Sequence, residues 1–231
     1  MSSYLFARQK PGPVLTLSQW LFVSCCFSCL LVCGRLAATG YSTYLSLVWN
    51  LWLAFIPYAI SEWLFRRSAT IKNKWKLAPV LLAWLLFIPN SFYIITDLFH
   101  LEEFDAAPKW YDLLLLFSFA WNGLVLGILS ITRIELVIQA ASRRRLSLFF
   151  VFAFMWLNAF GIYLGRYLRY NSWDIIARPY SLFTDMLQLF IHPVQNGLPW
   201  SMITTWSVFM TLLYIILKKS GEFLRPRHTI R

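Results

Sequence analysis

Charge is scarce in this chain. Asp, Glu, Lys and Arg make up 13% of its 231 residues, about half of what soluble domains carry. Acidic groups are scarcer still, 10 against 21 basic ones. The four cysteines, Cys25, Cys26, Cys29 and Cys33, sit within one short stretch, which excludes a disulfide framework joining distant segments. Cys25, Cys29 and Cys33 share a helix face, but nothing beside them completes a metal-ligand set, so they read as small apolar residues at a helix contact. A P-loop, a G-x-S-x-G elbow, an H-E-x-x-H pair and a dinucleotide fingerprint are all missing. Internal repeats and low-complexity tracts are missing too.

What the chain has instead is apolar length. Hydrophobic residues reach 59% and the mean hydropathy is +0.58, more apolar surface than a soluble fold of this size can hide. These residues are gathered into six runs free of Asp, Glu, Lys and Arg: 14–34, 36–61, 77–96, 113–132, 146–165 and 198–217. Each reaches the roughly 20 residues that an α-helix needs to cross a hydrocarbon core. Lipid offers no hydrogen-bond partners, so runs of this kind are helical. The reading is one all-α integral membrane domain over 1–231, a polytopic bundle with spans near 14–34, 42–62, 77–98, 112–132, 146–166 and 198–217. The first run follows Arg8 and Lys10 but is too long for an ordinary signal-peptide core and lacks a small-x-small cleavage site, so it reads as a retained signal anchor.

Basic residues set the orientation. The tail before the first span holds two Lys or Arg, the loop 65–76 five, the loop 133–145 four and the tail after Leu217 five, which is sixteen of the 21. The other three connections hold Arg35, Lys109, Arg166, Arg169 and Arg178. The positive-inside rule then puts both termini in the cytoplasm. Asp97, Glu102, Glu103, Asp105, Asp112, Asp174 and Asp185 fall on the outer side. Trp20, Trp63, Trp75, Trp110 and Trp200 stand near the expected helix ends, as indoles at membrane interfaces do. The net charge of +11 is thus topology first, with anionic lipids as partners of the cytoplasmic basic loops. The bilayer is the main partner, and no nucleic acid is implied.

Polar groups converge at the outer ends of the third and fifth spans. Pro89 breaks the ladder of the third, so a kink or unwinding is expected near Asn90. Asn90, Tyr93, Asp97 and His100 follow at spacings of 3, 4 and 3, which puts them on one helix face. The fifth answers with Asn158, Gly161, Gly165, Arg166 and Arg169, continuing into Asn171 and Asp174. Gly161 and Gly165 have small-xxx-small spacing, which lets a neighbouring backbone come close. Intramembrane charges find partners or line a watery cavity, so Asp97 is expected to pair with Arg166 or Arg169. Between the fifth and sixth spans, Leu182, Phe183, Met186, Leu187 and Phe190 recur at helical spacing between Pro179 and Pro193. This predicts an amphipathic helix in the outer interface, with a shallow re-entrant hairpin as the alternative. Asn50 with Pro57, and Asn122 with Gly123, read as ordinary interhelical hydrogen bonds and kinks.

Three uses of the cluster Asn90, Tyr93, Asp97, His100, Arg166, Arg169, Asn171 and Asp174 are open. It is a satisfied polar clamp, a binding or translocation site for a polar solute, ion or lipid headgroup, or an enzyme site in which Asp97, His100 and Glu102 supply a base and the arginines hold phosphate or carboxylate. The spacing Asp-x-x-His-x-Glu lacks the repeat that makes zinc motifs convincing, so neither metal nor cofactor is assigned. The favoured reading is a non-catalytic binding or transport-type protein of the bacterial inner membrane with an outward-facing polar site. The alternative is a membrane-embedded enzyme acting on an envelope lipid or a phosphorylated or carboxylated substrate.

Two stretches carry a resemblance: Pro89-Asn-Ser-Phe-Tyr-Ile-Ile-Thr-Asp97-Leu98, and Gly161-Ile-Tyr-Leu-Gly-Arg166-Tyr-Leu-Arg169-Tyr-Asn171-Ser-Trp-Asp174. In these the chain resembles an uncharacterised bacterial membrane family, domain of unknown function 1361. The family's usual Asn-Ala/Ser-Pro-Tyr stands here as Asn90-Ser91-Phe92-Tyr93, without the second proline. The resemblance implies a cytoplasmic-membrane protein of similar topology and implies no activity.

Overall fold

The computed structural model describes residues 16–67, 74–102, 106–142 and 148–223. Expectations for the basic stretches at 8–10, 68–73, 143–147 and 224–231, and for Glu103 and Asp105, lie outside these residues. Long helices form on all six apolar runs: α1 (Leu17–Thr39), α2 (Leu45–Arg67), α3 (Lys74–Tyr93), α4 (Lys109–Ser142), α5 (Leu148–Arg166) and α8 (Gly197–Phe223). A 3₁₀ helix (Ile94–Glu102) continues α3, and short helices α6 (Asp174–Ala177) and α7 (Pro179–Ile191) join α5 to α8. Among the described residues there is no strand.

Among the described residues five stretches are long and apolar enough to cross a membrane: Leu17–Thr39, Leu77–Leu101, Lys109–Ala140, Leu148–Arg166 and Gly197–Gly221. Helix α2 is also 23 residues long but is diluted by Asn50, Pro57, Tyr58, Ser61 and Glu62. Large apolar side chains on the bundle's outside, such as Phe22, Leu82 and Phe149, stand 71%, 60% and 75% exposed. Asp97, Asp112, Glu135, Asn122 and Asn158 are buried. That inversion of the soluble pattern is what lipid demands, and the chain is an integral membrane protein.

Helices α2, α3 and α4 pack against one another, α1 lies on α4, α5 sits beside α3, and α8 lies on α5. One core gathers Trp84, Ile88, Phe92, Ile134, Met155 and Ile162, and a second gathers Leu47, Leu51, Leu115 and Phe119 beneath the 3₁₀ helix. Glycines set the close approaches. A Cβ at Gly123 would meet the Ser91 carbonyl oxygen at 2.5 Å, and one at Gly161 would meet the Pro89 ring at 2.6 Å. Pro57 loosens the α2 ladder. The hydroxyls of Ser91 and Ser130 then donate to the carbonyls of Ala54 and Pro57, at 3.1 and 2.9 Å.

Four boundaries differ from the sequence reading, three of them because a charge has found a partner. Gly34 is inside α1, and the turn begins at Gly40, whose φ of 75° makes it the left-handed cap. Arg35 is therefore helical and buried rather than part of the connection, its Nε 2.7 Å from Asp112 Oδ1. Helix α4 runs on past Thr132, so Arg133 bonds Glu62 at 2.6 Å from within a helix. Helix α8 runs on past Leu217, so Lys218 reaches Glu135, which also accepts from the Tyr214 hydroxyl. Unwinding of the third span begins at Ile94 rather than Asn90, since α-helix persists through Tyr93.

Helix α7 forms where the spacing predicts it, with Pro179 in its first turn, where the missing N–H costs nothing. Its apolar residues share one broad face, as expected, and only part of that face is covered. Leu182 and Leu189 are buried, while Phe183, Leu187 and Phe190 are exposed, and Asp185 accepts from Tyr170 Oη at 2.8 Å. The helix thus offers apolar surface both to the bundle and away from it. Rings of Phe160, Phe190 and Trp200 join α5, α7 and α8, at centroid separations of 5.9 and 5.1 Å.

Candidate functional site

Nine residues is long for a 3₁₀ helix, which rarely runs past three or four. Its three-residue turn puts Asp97 and His100 one turn apart, so both reach a single group on α5. That group is the Arg166 guanidinium. One terminal nitrogen lies 3.1 Å from Asp97 Oδ1 and 3.4 Å from Tyr93 Oη; the other donates to the Thr96 carbonyl at 3.0 Å and meets His100 Nε2 at 2.7 Å. A guanidinium has no acceptor, so His100 accepts at Nε2 and its ring proton sits on Nδ1. The rings of Tyr93 and Phe99 lie 5.7 and 5.8 Å from the guanidinium carbon. Asp97 Oδ2 accepts from Asn50 Nδ2 at 3.0 Å, which brings in α2. The Asp97 and Arg166 side chains are 8% and 15% exposed.

The eight residues singled out by sequence divide into three groups. Tyr93, Asp97, His100 and Arg166 form the cluster just described. Asn90 sits apart from it, its Nδ2 donating to the Phe87 carbonyl at 3.0 Å and to Ser172 Oγ at 3.1 Å, while Ser172 Oγ donates to the Leu86 carbonyl. Asn171 follows in the same loop, with its side chain exposed.

Arg169 and Asp174 face elsewhere. Arg169 has φ 57°, the left-handed position just past α5, and the Tyr170 N–H closes back on the Leu164 carbonyl at 3.0 Å. Its side chain is exposed and makes no bond among the described residues, so Asp97 pairs with Arg166. Asp174 turns to Arg178, with Nε and Nη2 at 3.0 and 2.8 Å, and accepts the Asn171 N–H at 2.7 Å. Asn158 bonds within its own helix, to the Phe154 carbonyl. Asn50 is the member that sequence reasoning left out of the cluster; a carboxamide inside an apolar run was the available signal. Among the described residues no three His, Cys, Asp or Glu gather as metal ligands.

The Arg178 guanidinium, helped by the Asn171 N–H, holds the Asp174 carboxyl at about 2, below its ordinary 3.8. The hydrogen bond to Asp185 pushes the Tyr170 phenol above its usual range. A depressed carboxyl stabilises the fold above its unfolded pKa and loses that contribution as pH falls through the folded value. The loop 170–178 is therefore expected to keep its hydrogen-exchange protection from pH 7 down to about pH 4 and to lose it towards pH 2. Asp174→Asn is expected to lower that protection above about pH 4 and to converge with the wild type towards pH 2, measured in detergent and corrected for intrinsic rates.

Beside the cluster, a cavity of about 380 Å³ lies between α2, α3, α5 and the segment carrying α6 and α7. Asn50, Asn90, Tyr93, Tyr170, Asn171 and Ser172 give it a polar end, and leucines from α3 and α5 with Leu182 and Met186 of α7 give it an apolar body. Both oxygens of Asp97 and the Nε2 of His100 are occupied. Of the four clustered residues only Tyr93 lines the cavity, and the Asp97 carboxylate, bonded at both oxygens, is not a free base.

No curated protein and no solved structure matches this chain. The residues of the cluster and of the cavity all lie within 49–217, the segment matched by the sequence model of the family described as Protein of unknown function (DUF1361), and the chain belongs to that family.

Proposed function

We propose that this is a six-span protein of the bacterial cytoplasmic membrane, with both termini inside, that binds an amphipathic ligand at its outer side without transforming it. The observation that carries this reading is the cavity, polar at the Asn50 and Asn90 end and apolar through its body, in a volume of about 380 Å³. That volume is within the range of small-molecule sites and suits a headgroup with part of one chain. Arg66, Arg67, Lys218 and Lys219 lie at the opposite end of the bundle from Asp97 and Arg166, consistent with a cytoplasmic side defined by the basic loops. Counting α2 as the sixth span rests on its 23-residue length and its place between α3 and α4. An acid–base enzyme would need an unoccupied proton acceptor at the cavity, and Asp97 and His100 are both engaged.

The test fills the cavity. Leu86 lines it and is only partly buried, so Leu86→Trp adds bulk there with modest repacking. Protein purified from its own membranes is expected to retain a lipid-like species that native mass spectrometry detects, and Leu86→Trp is expected to lose it while remaining folded. Equal retention by both proteins would overturn the reading.

A further inference from the structure

The unused hydrogen-bonding capacity of the cavity specifies a headgroup. Among the described residues, no charged side chain lines it. Three nearby carboxylates are already paired, Asp97 with Arg166, Asp174 with Arg178 and Asp185 with the Tyr170 hydroxyl, while Arg169 is exposed and is not among the lining residues. Arg166 commits both terminal nitrogens to four acceptors, and it is not among the residues that line the cavity.

The two asparagines have their orientation fixed by what they touch. Asn50 must present nitrogen to the Asp97 carboxylate, because an oxygen there would meet like charge. Asn90 must present nitrogen to the Phe87 carbonyl, which can only accept; Ser172 spends its own proton on the Leu86 carbonyl and so also accepts from Asn90. With both Nδ2 groups turned into the protein, each residue has its Oδ1 left, and neither oxygen has a partner among the described residues. The side chain of Asn171 is likewise unengaged, and Trp49, Tyr93 and Tyr170 add ring surface to the same end.

Free carbonyl oxygens call for donors. A phosphate or carboxylate brings only acceptors and would face oxygen against oxygen in a partly dry site. An ammonium donates, but the nearby carboxylates Asp97, Asp174 and Asp185 are already paired and would leave its charge unbalanced. An uncharged hydroxyl donates, carries no charge, and can also accept from the Asn171 amide. Sugar-like headgroups in addition place C–H faces on aromatic rings. Taking the amphipath-binding reading as its base, we infer that the cavity holds a neutral lipid whose headgroup presents hydroxyls, received by Asn50 Oδ1, Asn90 Oδ1 and the Asn171 carboxamide.

The experiment reconstitutes the full chain in phosphatidylcholine nanodiscs doped in turn with a monoglucosyl diacylglycerol, a phosphatidic acid or a phosphatidylethanolamine of the same acyl chains. Lipid bound per protein is then read by native mass spectrometry. The glucolipid is expected to exceed the other two at least about fivefold, the ratio expected from one additional net hydrogen bond. Asn171→Ala, which removes a side chain bonded to nothing, is expected to lower glucolipid occupancy several-fold with no change in melting temperature. Preference for phosphatidic acid or phosphatidylethanolamine, expelled by Leu86→Trp, would overturn the headgroup class and leave the binding reading standing. Glucolipid occupancy indifferent to Leu86→Trp would place the lipid elsewhere and overturn both.

Discussion

Arg35→Met is expected to cost about 3–5 kcal/mol of stability, the usual consequence of leaving one member of a buried ion pair without its partner. The pair joins α1 to α4 through two bonds, Nε to Asp112 Oδ1 at 2.7 Å and Nη2 to Oδ2 at 3.0 Å. The side chains are 2% and 1% exposed, so no water replaces the lost guanidinium. The ring of Tyr44, 4.5 Å from the guanidinium carbon, would lose its cation as well. Arg35 Nη1 is itself buried without a partner, so even the intact pair does not satisfy all of its donors. The double variant Arg35→Met with Asp112→Leu is therefore expected to recover most of the loss, since it removes both desolvated charges together. Thermal unfolding of the purified protein, run as a double-mutant cycle, measures both numbers. Wild-type melting by Arg35→Met alone would contradict the burial.

Arg166→Met is the second large effect, also about 3–5 kcal/mol, but it falls on a different part of the molecule. Here one guanidinium holds Asp97, the Thr96 carbonyl, His100 Nε2 and the Tyr93 hydroxyl against α5. Its loss is expected to release the 3₁₀ helix, so hydrogen exchange should accelerate over 94–102 more than elsewhere, and retention of the cavity's ligand should fall with it. Arg166→Lys is expected to be intermediate, because a single ammonium keeps the charge and cannot span the same fork. A reciprocal exchange, Asp97→Arg with Arg166→Asp, is expected not to rescue. A carboxylate at 166 would face the Thr96 carbonyl oxygen, acceptor against acceptor. Recovery by the exchange would mean that the Asp97 contact alone matters and that the bonds to Thr96 and His100 are incidental.

The places where sequence reasoning stopped short follow from one physical fact. A charge ends an apolar run in the sequence, but it ends a helix only when it finds no partner. Arg35, Arg133, Glu135 and Lys218 each lie inside a helix with an oppositely charged group waiting on another element. Those partners are 77 residues apart for Arg35 and 83 for Lys218, so no local window contains both. The choice of Arg166 over Arg169 was equally hidden. The two are three residues apart and share no obvious distinction until the chain leaves the helix and Arg169 takes the left-handed position of the cap. Asn50 was visible as a polar residue in an apolar run, yet its role depends on the depth at which α2 passes the 3₁₀ helix.

The sequence by itself determined that the chain is a membrane-embedded helical bundle, because lipid leaves a long apolar segment no other way to satisfy its backbone. It also determined that polar groups collect at Pro89–His100 and Gly161–Asp174, since those residues are written at helical spacing and cannot face lipid. The tertiary structure alone decided which groups meet. That choice depends on how closely the helices approach, and the approach is set by contacts such as Gly161 on Pro89 and Gly123 on the Ser91 carbonyl. It depends too on the tightening of α3 into a 3₁₀ turn, which carries Asp97 and His100 to one guanidinium and leaves the oxygens of Asn50 and Asn90 without a partner at the cavity.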